Sequence, residues 1–170
     1  MKELVLGGAR SGKSAWAQRR AAESGLPVTL IATGTAGDAE MAERIAHHRA
    51  ARPADWRVVE APRALAPALR MEAAAGRFVI VDCLTLWLLN VIDADFAAER
   101  QALLDALAGL PGEVLFVANE IGLGIVPLGA ETRRFRDEAG RLNQDLAAAC
   151  ERVTFVAAGL PLPLKTPQDH

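Results

Sequence analysis

The chain has 170 residues, of which 51% are hydrophobic and 24% charged, a composition typical of a globular protein large enough for one domain with a sizeable core. Its 19 Lys and Arg residues against 21 Asp and Glu residues give a formal net charge of −2, which argues against a sequence-independent nucleic-acid binder. Two isolated cysteines and the lack of a recognisable signal peptide favour a cytoplasmic location.

Short apolar runs alternate with longer amphipathic runs along the chain, a pattern typical of strands separated by helices. The sequence predicts strands at residues 3–6, 28–32, 56–60, 78–82, 111–119 (with a preceding turn) and 153–158. It predicts helices at residues 13–23, 39–50, 64–74, 95–108 and 132–150, another that begins within 84–92, and a glycine-rich loop at 120–130. The proline-containing tail from residue 160, and 161–170 in particular, is predicted to be extended or loose. The longest near-apolar run, 78–92, contains an aspartate and is shorter than the roughly 20 residues of a membrane span.

This alternation predicts an α/β fold, with a mostly parallel sheet covered by helices on both faces, in a single domain over residues 1–170. The carboxyl ends of parallel strands meet at one edge of such a sheet, where ligands bind. The residues at or just past the predicted strand ends are Gly7, Thr33, Glu60, Asp82 and Asn119. The chemistry of the protein is therefore expected at this edge.

The segment LVLGGARSGKS (4–14) contains the pattern G-x-x-x-x-G-K-S between a predicted strand and a predicted helix. Its glycines allow the backbone N–H groups to surround a phosphate. Lys13 reaches the β- and γ-phosphates, and the Ser14 hydroxyl is placed to bind Mg²⁺. The pattern therefore predicts a nucleotide site, and a glycine turn without a ligand is the less common alternative.

A phosphate loop of this kind is usually accompanied by a carboxylate that binds Mg²⁺ at the end of another strand. Asp82, at the end of the buried run FVIVD, is the first candidate, although an aspartate here is also typical of a helix cap. Glu120 is a weaker candidate for the same role.

Two adjacent histidines stand in the segment IAHHRAARP (45–53). On a helix, His47 lies one turn after Glu43, so an exposed ion pair is enough to explain it. His48 shares a face with Met41 and Ile45 and is explained equally well as a residue at the boundary of the core.

The functional interpretation of His48 is nucleophilic catalysis. A neutral imidazole attacks phosphorus readily, and attack on the α-phosphate of a nucleoside triphosphate releases pyrophosphate and leaves a nucleotidyl-histidine. Arg49 and Arg52 are placed to hold the triphosphate and to balance the developing charge. The residues alone leave both interpretations open.

Four sequence blocks together resemble the bifunctional adenosylcobinamide kinase / adenosylcobinamide-phosphate guanylyltransferase family of cobalamin biosynthesis. They are GGARSGKS (7–14), EMAERIAHHRAARPADW (40–56), NEIGLGIVP (119–127) and FRDEAGRLNQ (135–144). The resemblance extends from about residue 3 to about residue 158. The first block indicates only a phosphate loop, whereas no generic nucleotide hydrolase requires the last two.

The resemblance implies a RecA-like P-loop fold, a homotrimer and a two-step enzyme. In the first step ATP or GTP phosphorylates the aminopropanol hydroxyl of adenosylcobinamide. In the second, GTP guanylylates a histidine, and the GMP passes to adenosylcobinamide phosphate to give adenosylcobinamide-GDP. The family motif places the nucleophile at His48, with His47 as the fallback.

The resemblance also implies the nucleotide contacts. These are expected from Gly7, Gly8, Ala9, Arg10, Ser11, Gly12, Lys13 and Ser14, from Ala32, Thr33 and Gly34, from Arg49, Ala50, Ala51 and Arg52, and from Glu60 and Asp82. Similar sequences often carry Glu at position 82, so the Mg²⁺ role of Asp82, shared with Ser14, rests on P-loop chemistry rather than on the family motif.

Three points stay open at the level of sequence. The loop NEIGLGIVP is expected to shape the corrinoid or the nucleotide pocket, or to be simply a tight connection. The number of nucleotide sites is open, because either one site serves both reactions in turn or a second site exists. A P-loop small-molecule kinase without a histidyl intermediate and a non-catalytic nucleotide-dependent binding protein are the alternative functions.

Overall fold

The computed structural model describes residues 1–35 and 53–167. The described strands are β1 (Lys2–Gly7), β2 (Val28–Ala32), β3 (Arg57–Glu60), β4 (Phe78–Asp82), β5 (Glu113–Asn119), β6 (Arg152–Ala157) and β7 (Leu160–Lys165). The described helices are α1 (Lys13–Glu23), α2 (Leu65–Glu72), α3 (Leu84–Val91), α4 (Phe96–Leu107) and α5 (Ala130–Ala149).

The described strands form one sheet in the order β3-β2-β4-β5-β1-β6-β7. Strands β1 to β6 run parallel, and β7 pairs antiparallel with β6. The central strands are apolar and buried along most of their length, as expected when both faces of a parallel sheet are covered.

Helices cover both faces of the sheet. Helix α1 packs on one face through Ala17 and Ala21, against a cluster that includes Phe78 and Leu115. Helices α2 to α5 contribute to a larger cluster on the other face, which includes the fully buried Trp87. The predicted α/β fold with a mostly parallel sheet and helices on both faces is therefore confirmed.

Most element boundaries agree with the sequence-based predictions. The predicted bounds of α1, β2 and β4 match the structure residue for residue. The helix predicted at residues 39–50 lies outside the described residues. Within the described ranges, no helix combines the length and apolar character needed to cross a bilayer.

The proline-containing tail differs from the prediction. Residues Leu160–Lys165 form β7. The prediction of a loose tail is therefore wrong for these residues, and the prediction of an extended tail is confirmed. Pro161 and Pro163 are tolerated because β7 is an edge strand, where a missing N–H group can face outward. The Lys165 ammonium group fixes the end of the strand to the last turn of α5 by donating to the carbonyl oxygens of Ala147, Ala148 and Cys150.

Candidate active site

The carboxyl ends of the parallel strands meet at one edge of the sheet. Gly7 at the end of β1 is paired in register with Asn119 at the end of β5. Ala32 at the end of β2 is paired with Asp82 on one side and with Glu60 on the other. The predicted grouping of these residues at one edge is confirmed.

The phosphate loop between β1 and α1 is too tightly packed for side chains at its two end glycines. A β-carbon on Gly7 would lie 2.5 Å from both the Ser11 Oγ and the Val156 carbonyl oxygen. Gly12 has a φ of +95° and would place a β-carbon 3.0 Å from the Cα of Gly159. The sequence pattern therefore requires glycine at both positions for steric reasons.

The turn between β6 and β7 supports the phosphate loop from the carboxyl-terminal half of the chain. The backbone N–H of Gly159 donates to the carbonyl oxygen of Ser11 at 2.8 Å. The hydroxyl oxygen of Ser11 is itself buried and makes no hydrogen bond within the described residues. Sequence reasoning did not assign Gly159 to the site, because no local pattern connects it to residue 11.

Lys13 is buried at the first turn of α1, and its ammonium group donates to the carbonyl oxygen of Gly8 at 3.0 Å. Burial lowers the pKa of Lys13, and the neighbouring Cys83 and Asp82 oppose this change by favouring the charged form. The protein therefore holds a lysine inside the loop where the phosphates of a nucleotide are expected.

The side chains of Ser14 and Asp82 carry oxygen atoms of the hard kind that Mg²⁺ prefers, and their role as its ligands stays a prediction. One strand, β5, separates β4 from β1, which places the two strand ends about 10 Å apart. The described residues contain no cluster of three or more His, Cys, Asp or Glu side chains suited to a metal ion. Two such side chains suit an ion whose remaining ligands are phosphate oxygens, rather than an ion bound by protein ligands alone.

The other predicted nucleotide contacts on β2 and β3 lie farther from the phosphate loop. The Thr33 hydroxyl is fully buried and donates to the Cys83 carbonyl oxygen at 2.6 Å, so this side chain is engaged within the fold. Ala32 and Gly34 are half-buried beside it. Glu60 is exposed on the edge strand β3. Three strands lie between β3 and β1, so these two strands are about 19 Å apart.

The predicted catalytic segment is outside the described part of the chain. His47, His48, Arg49, Ala50, Ala51 and Arg52 all fall within residues 36–52. Their roles stay predictions.

Asn119 is a polar residue of the site that the sequence patterns did not single out as a ligand. Its Oδ1 atom is buried and has no hydrogen-bond partner among the described residues. Its backbone N–H donates to the Thr85 Oγ1 at 2.8 Å, and its carbonyl oxygen accepts a hydrogen bond from the Asn143 Nδ2 at 3.4 Å. The main chain of Asn119 is therefore fixed, while its side-chain oxygen still has an unused capacity to accept.

Glu120, the weaker candidate for the Mg²⁺ carboxylate, is engaged in the loop that follows β5. Its backbone N–H donates to the Gly7 carbonyl oxygen at 3.0 Å. Its Oε1 accepts a hydrogen bond from the Gly122 N–H at 2.6 Å. This arrangement favours a role in shaping the loop.

Comparison with known proteins finds relatives over nearly the whole chain. The family model for cobinamide kinase / cobinamide phosphate guanyltransferase matches residues 3–164. The bifunctional adenosylcobalamin biosynthesis protein CobP of Pseudomonas aeruginosa is 60% identical over 169 residues, which cover 97% of this chain and 98% of that protein. The bifunctional adenosylcobalamin biosynthesis protein CobU of Salmonella typhimurium is 39% identical over 182 residues, covering 97% and 100%.

Two solved structures resemble the fold. The RadB recombinase aligns with a TM-score of 0.53 at 16% identity, covering 91% of this chain and 73% of that one. A protein of Pyrococcus horikoshii OT3 aligns with a TM-score of 0.58 at 10% identity, covering 99% and 87%. At these identities the likeness concerns the fold alone, and it confirms the predicted RecA-like P-loop architecture.

Proposed function

Because this chain belongs to the cobinamide kinase / cobinamide phosphate guanyltransferase family, and is thus a bifunctional kinase and guanylyltransferase, we propose that it acts on adenosylcobinamide in two steps. ATP or GTP first phosphorylates the aminopropanol hydroxyl. GTP then donates GMP to the phosphorylated corrinoid, which yields adenosylcobinamide-GDP and pyrophosphate. The observation that carries this proposal is the family match over residues 3–164, which includes the whole phosphate loop.

In the kinase step, the N–H groups of residues 7–14 hold the β- and γ-phosphates, and the Lys13 ammonium group balances their charge. The acceptor hydroxyl oxygen forms a bond to the γ-phosphorus as the bond to the β,γ-bridging oxygen breaks. The nucleoside diphosphate leaves with that electron pair, and the hydroxyl proton is released. Mg²⁺ bound through Ser14, Asp82 and phosphate oxygens would supply additional charge neutralisation.

In the guanylyl step, a ring nitrogen of His48 attacks the α-phosphorus of GTP, and the bond to the α,β-bridging oxygen breaks to release pyrophosphate. An oxygen of the corrinoid phosphate then attacks the same phosphorus, and the imidazole leaves. Arg49 and Arg52 balance the charge on the triphosphate during the first of these steps. The chemistry of the imidazole and the family motif around residues 44–49 support this assignment.

Covalent labelling tests the histidyl step. The protein is incubated with Mg²⁺ and GTP labelled at the α-phosphate, denatured, and examined for label that is acid-labile and alkali-stable. Label that disappears in His48→Ala and persists in the matched control His47→Ala supports the proposal. Label lost only in His47→Ala moves the nucleophile by one residue. A wild-type protein that phosphorylates adenosylcobinamide but takes up no label is a kinase without the intermediate.

The assembly and the location of the enzyme are separate proposals. The family resemblance favours a homotrimer, and the two isolated cysteines favour the reducing environment of the cytoplasm. Helix α3, whose apolar sequence suits either a core or an interface, buries Leu84, Trp87, Leu88 and Val91 within this chain and leaves Leu89 59% exposed. Sedimentation equilibrium of the purified protein tests the trimer, and a monomer mass would reject it.

A further inference from the structure

The loop between β5 and α5 lies beside the phosphate loop and is attached to the fold at both ends. At its start, the Glu120 N–H donates to the Gly7 carbonyl oxygen at 3.0 Å. At its end, the Arg133 guanidinium donates to the Pro127 carbonyl oxygen at 3.0 Å. The loop therefore starts where the phosphates of a bound nucleotide are expected, and the polar contacts at its two ends position its middle.

The middle of this loop is apolar and faces solvent. Leu123, Ile125, Val126 and Leu128 are 82%, 96%, 59% and 99% exposed. No residue between 121 and 130 carries a charge. Single exposed aliphatic residues are common, but four within six positions of an uncharged stretch at the edge of an active site indicate a surface that binds an apolar ligand.

A second observation at the base of the loop also points to a ligand. The Asn119 Oδ1 is buried with no hydrogen-bond partner among the described residues, directly beside Gly7 in the sheet. Buried acceptors are normally satisfied, so one left unsatisfied among the described residues at the edge of an active site is available to a donor that arrives with the substrate. A hydroxyl group is such a donor.

We propose that this region is the acceptor site, in which the uncharged loop residues 121–129 seat the corrinoid macrocycle and Asn119 holds its reacting hydroxyl. The inference rests on the proposed kinase function. The acceptor is a large corrin ring whose methyl-bearing faces are apolar and whose rim carries amide groups, and its hydroxyl must reach the γ-phosphate above residues 7–14. The ring then lies over the adjacent edge of the protein, where the loop is found. Asn119 accepts a hydrogen bond and takes up no proton, so it orients the hydroxyl oxygen toward phosphorus.

Substitutions of exposed loop residues test the apolar part of the site. The variant Leu123→Ser/Ile125→Ser is compared with Met71→Ser, which changes a residue that is 80% exposed near the end of α2, away from the active-site edge. The loop variant is expected to raise the KM for adenosylcobinamide about ten-fold or more, since each aliphatic side chain loses contact with the ring. Its rate of covalent GMP uptake, which needs no corrinoid, is expected to match that of Met71→Ser.

Substitution of Asn119 tests the polar part. Asn119→Leu keeps the main-chain contacts and removes an unsatisfied buried acceptor, so its thermal stability is expected to equal or exceed that of the wild type. Its kinase kcat is expected to fall about 10- to 100-fold, because the hydroxyl loses its orienting contact. If Asn119 had a merely structural role, its substitution would not lower the kinase kcat while leaving the thermal stability unchanged or higher. Should Asn119→Leu fail to fold, Asn119→Ala gives the same comparison of kcat.

Several results would overturn the acceptor site. One is a loop variant with wild-type KM for adenosylcobinamide, and another is an Asn119→Leu protein with wild-type kinase kcat. A third is a loop variant whose sedimentation changes while its KM does not, which would make the loop a subunit contact. In each case a fully active wild type leaves the proposed function intact. A wild-type protein that phosphorylates no adenosylcobinamide overturns both proposals.

Discussion

The site for a β-carbon on Gly7 lies 2.5 Å from the carbonyl oxygen of Val156, a main-chain atom of the neighbouring strand β6. A β-carbon on Gly8, one residue later, would have no neighbouring atom within 4 Å. The two glycines thus form a matched pair within one loop. The first is constrained by the sheet, and the second has room for a side chain.

Gly7→Ala is expected to lower the free energy of unfolding by about 1–3 kcal/mol, because either β6 or the phosphate loop must move to remove the clash. Gly8→Ala is expected to stay within about 0.5 kcal/mol of the wild type, since it meets no atom. Urea denaturation of the two variants under the same conditions makes the comparison. Equal midpoints for both variants would contradict the steric role assigned to Gly7.

Lys13→Met is expected to lower kcat/KM for the kinase reaction about 10²- to 10³-fold, since the charge proposed to stabilise the transferred phosphoryl group is lost. Covalent GMP uptake is expected to fall as well if one nucleotide site serves both reactions. The two assays on the same protein preparation decide this. A Lys13→Met protein that loses the kinase reaction and takes up GMP at the wild-type rate would indicate a second nucleotide site.

The same substitution is expected to alter the pH dependence of stability. Burial lowers the pKa of Lys13 in the folded protein. Just below the ordinary lysine pKa, the unfolded chain therefore binds more protons than the folded one, and stability gains from this group as pH rises. At neutral pH the buried charge costs stability, so nucleotide-free Lys13→Met is expected to be more stable there, with the difference shrinking in alkali. A difference that is constant with pH would contradict this.

Lys165→Met is expected to destabilise the protein by about 1–2 kcal/mol, because three carbonyl oxygens at the end of α5 lose a charged donor. Lys165→Arg, which keeps the positive charge, is expected to retain part of this stability. Thermal unfolding of both variants measures the effect. Identical stability of Lys165→Met and the wild type would show that the contact between β7 and α5 contributes little.

Both cysteines are expected to resist alkylation in the folded protein. Burial raises the pKa of the Cys83 thiol to about 11, with the Asp82 carboxylate adding to the effect. Burial likewise raises the pKa of Cys150 to about 12. At pH 8 the thiolate fraction of Cys83 is then roughly 0.1%, so iodoacetamide should modify both residues only after denaturation. Rapid modification of either residue in the native protein would contradict this.

Much of the fold and the core of the site could be predicted because their signals are local. The glycines of the phosphate loop, Lys13 and Ser14 occur within eight residues, and the helix after them begins where the pattern requires. The buried run that ends at Asp82 reads as a strand from its composition alone. Alternation of strands and helices then determines that the strand ends share one edge.

The features that escaped prediction depend on distant partners. The strand β7 carries two prolines, which argue against a strand unless an edge position and a partner such as β6 are known. The unsatisfied oxygen of Asn119 is recognised only when the groups surrounding it are known. The burial of Thr33 follows from its contact with Cys83, 50 residues away. Such relationships carry no periodic or motif signal.

The hydrogen bond between Gly159 and Ser11 joins the phosphate loop to a turn 148 residues later in the chain, and this has a consequence for the order of events during synthesis. Strand β1 leaves the ribosome before its two neighbours in the sheet, β5 and β6, which begin only at residues 113 and 152. A nascent chain that has emerged only through α4 contains every residue of the phosphate loop and none of the strands that flank it. Such a chain cannot yet hold the loop in its nucleotide-binding shape, so GTP gives the growing polypeptide no stabilisation until β6 and the turn after it have been released.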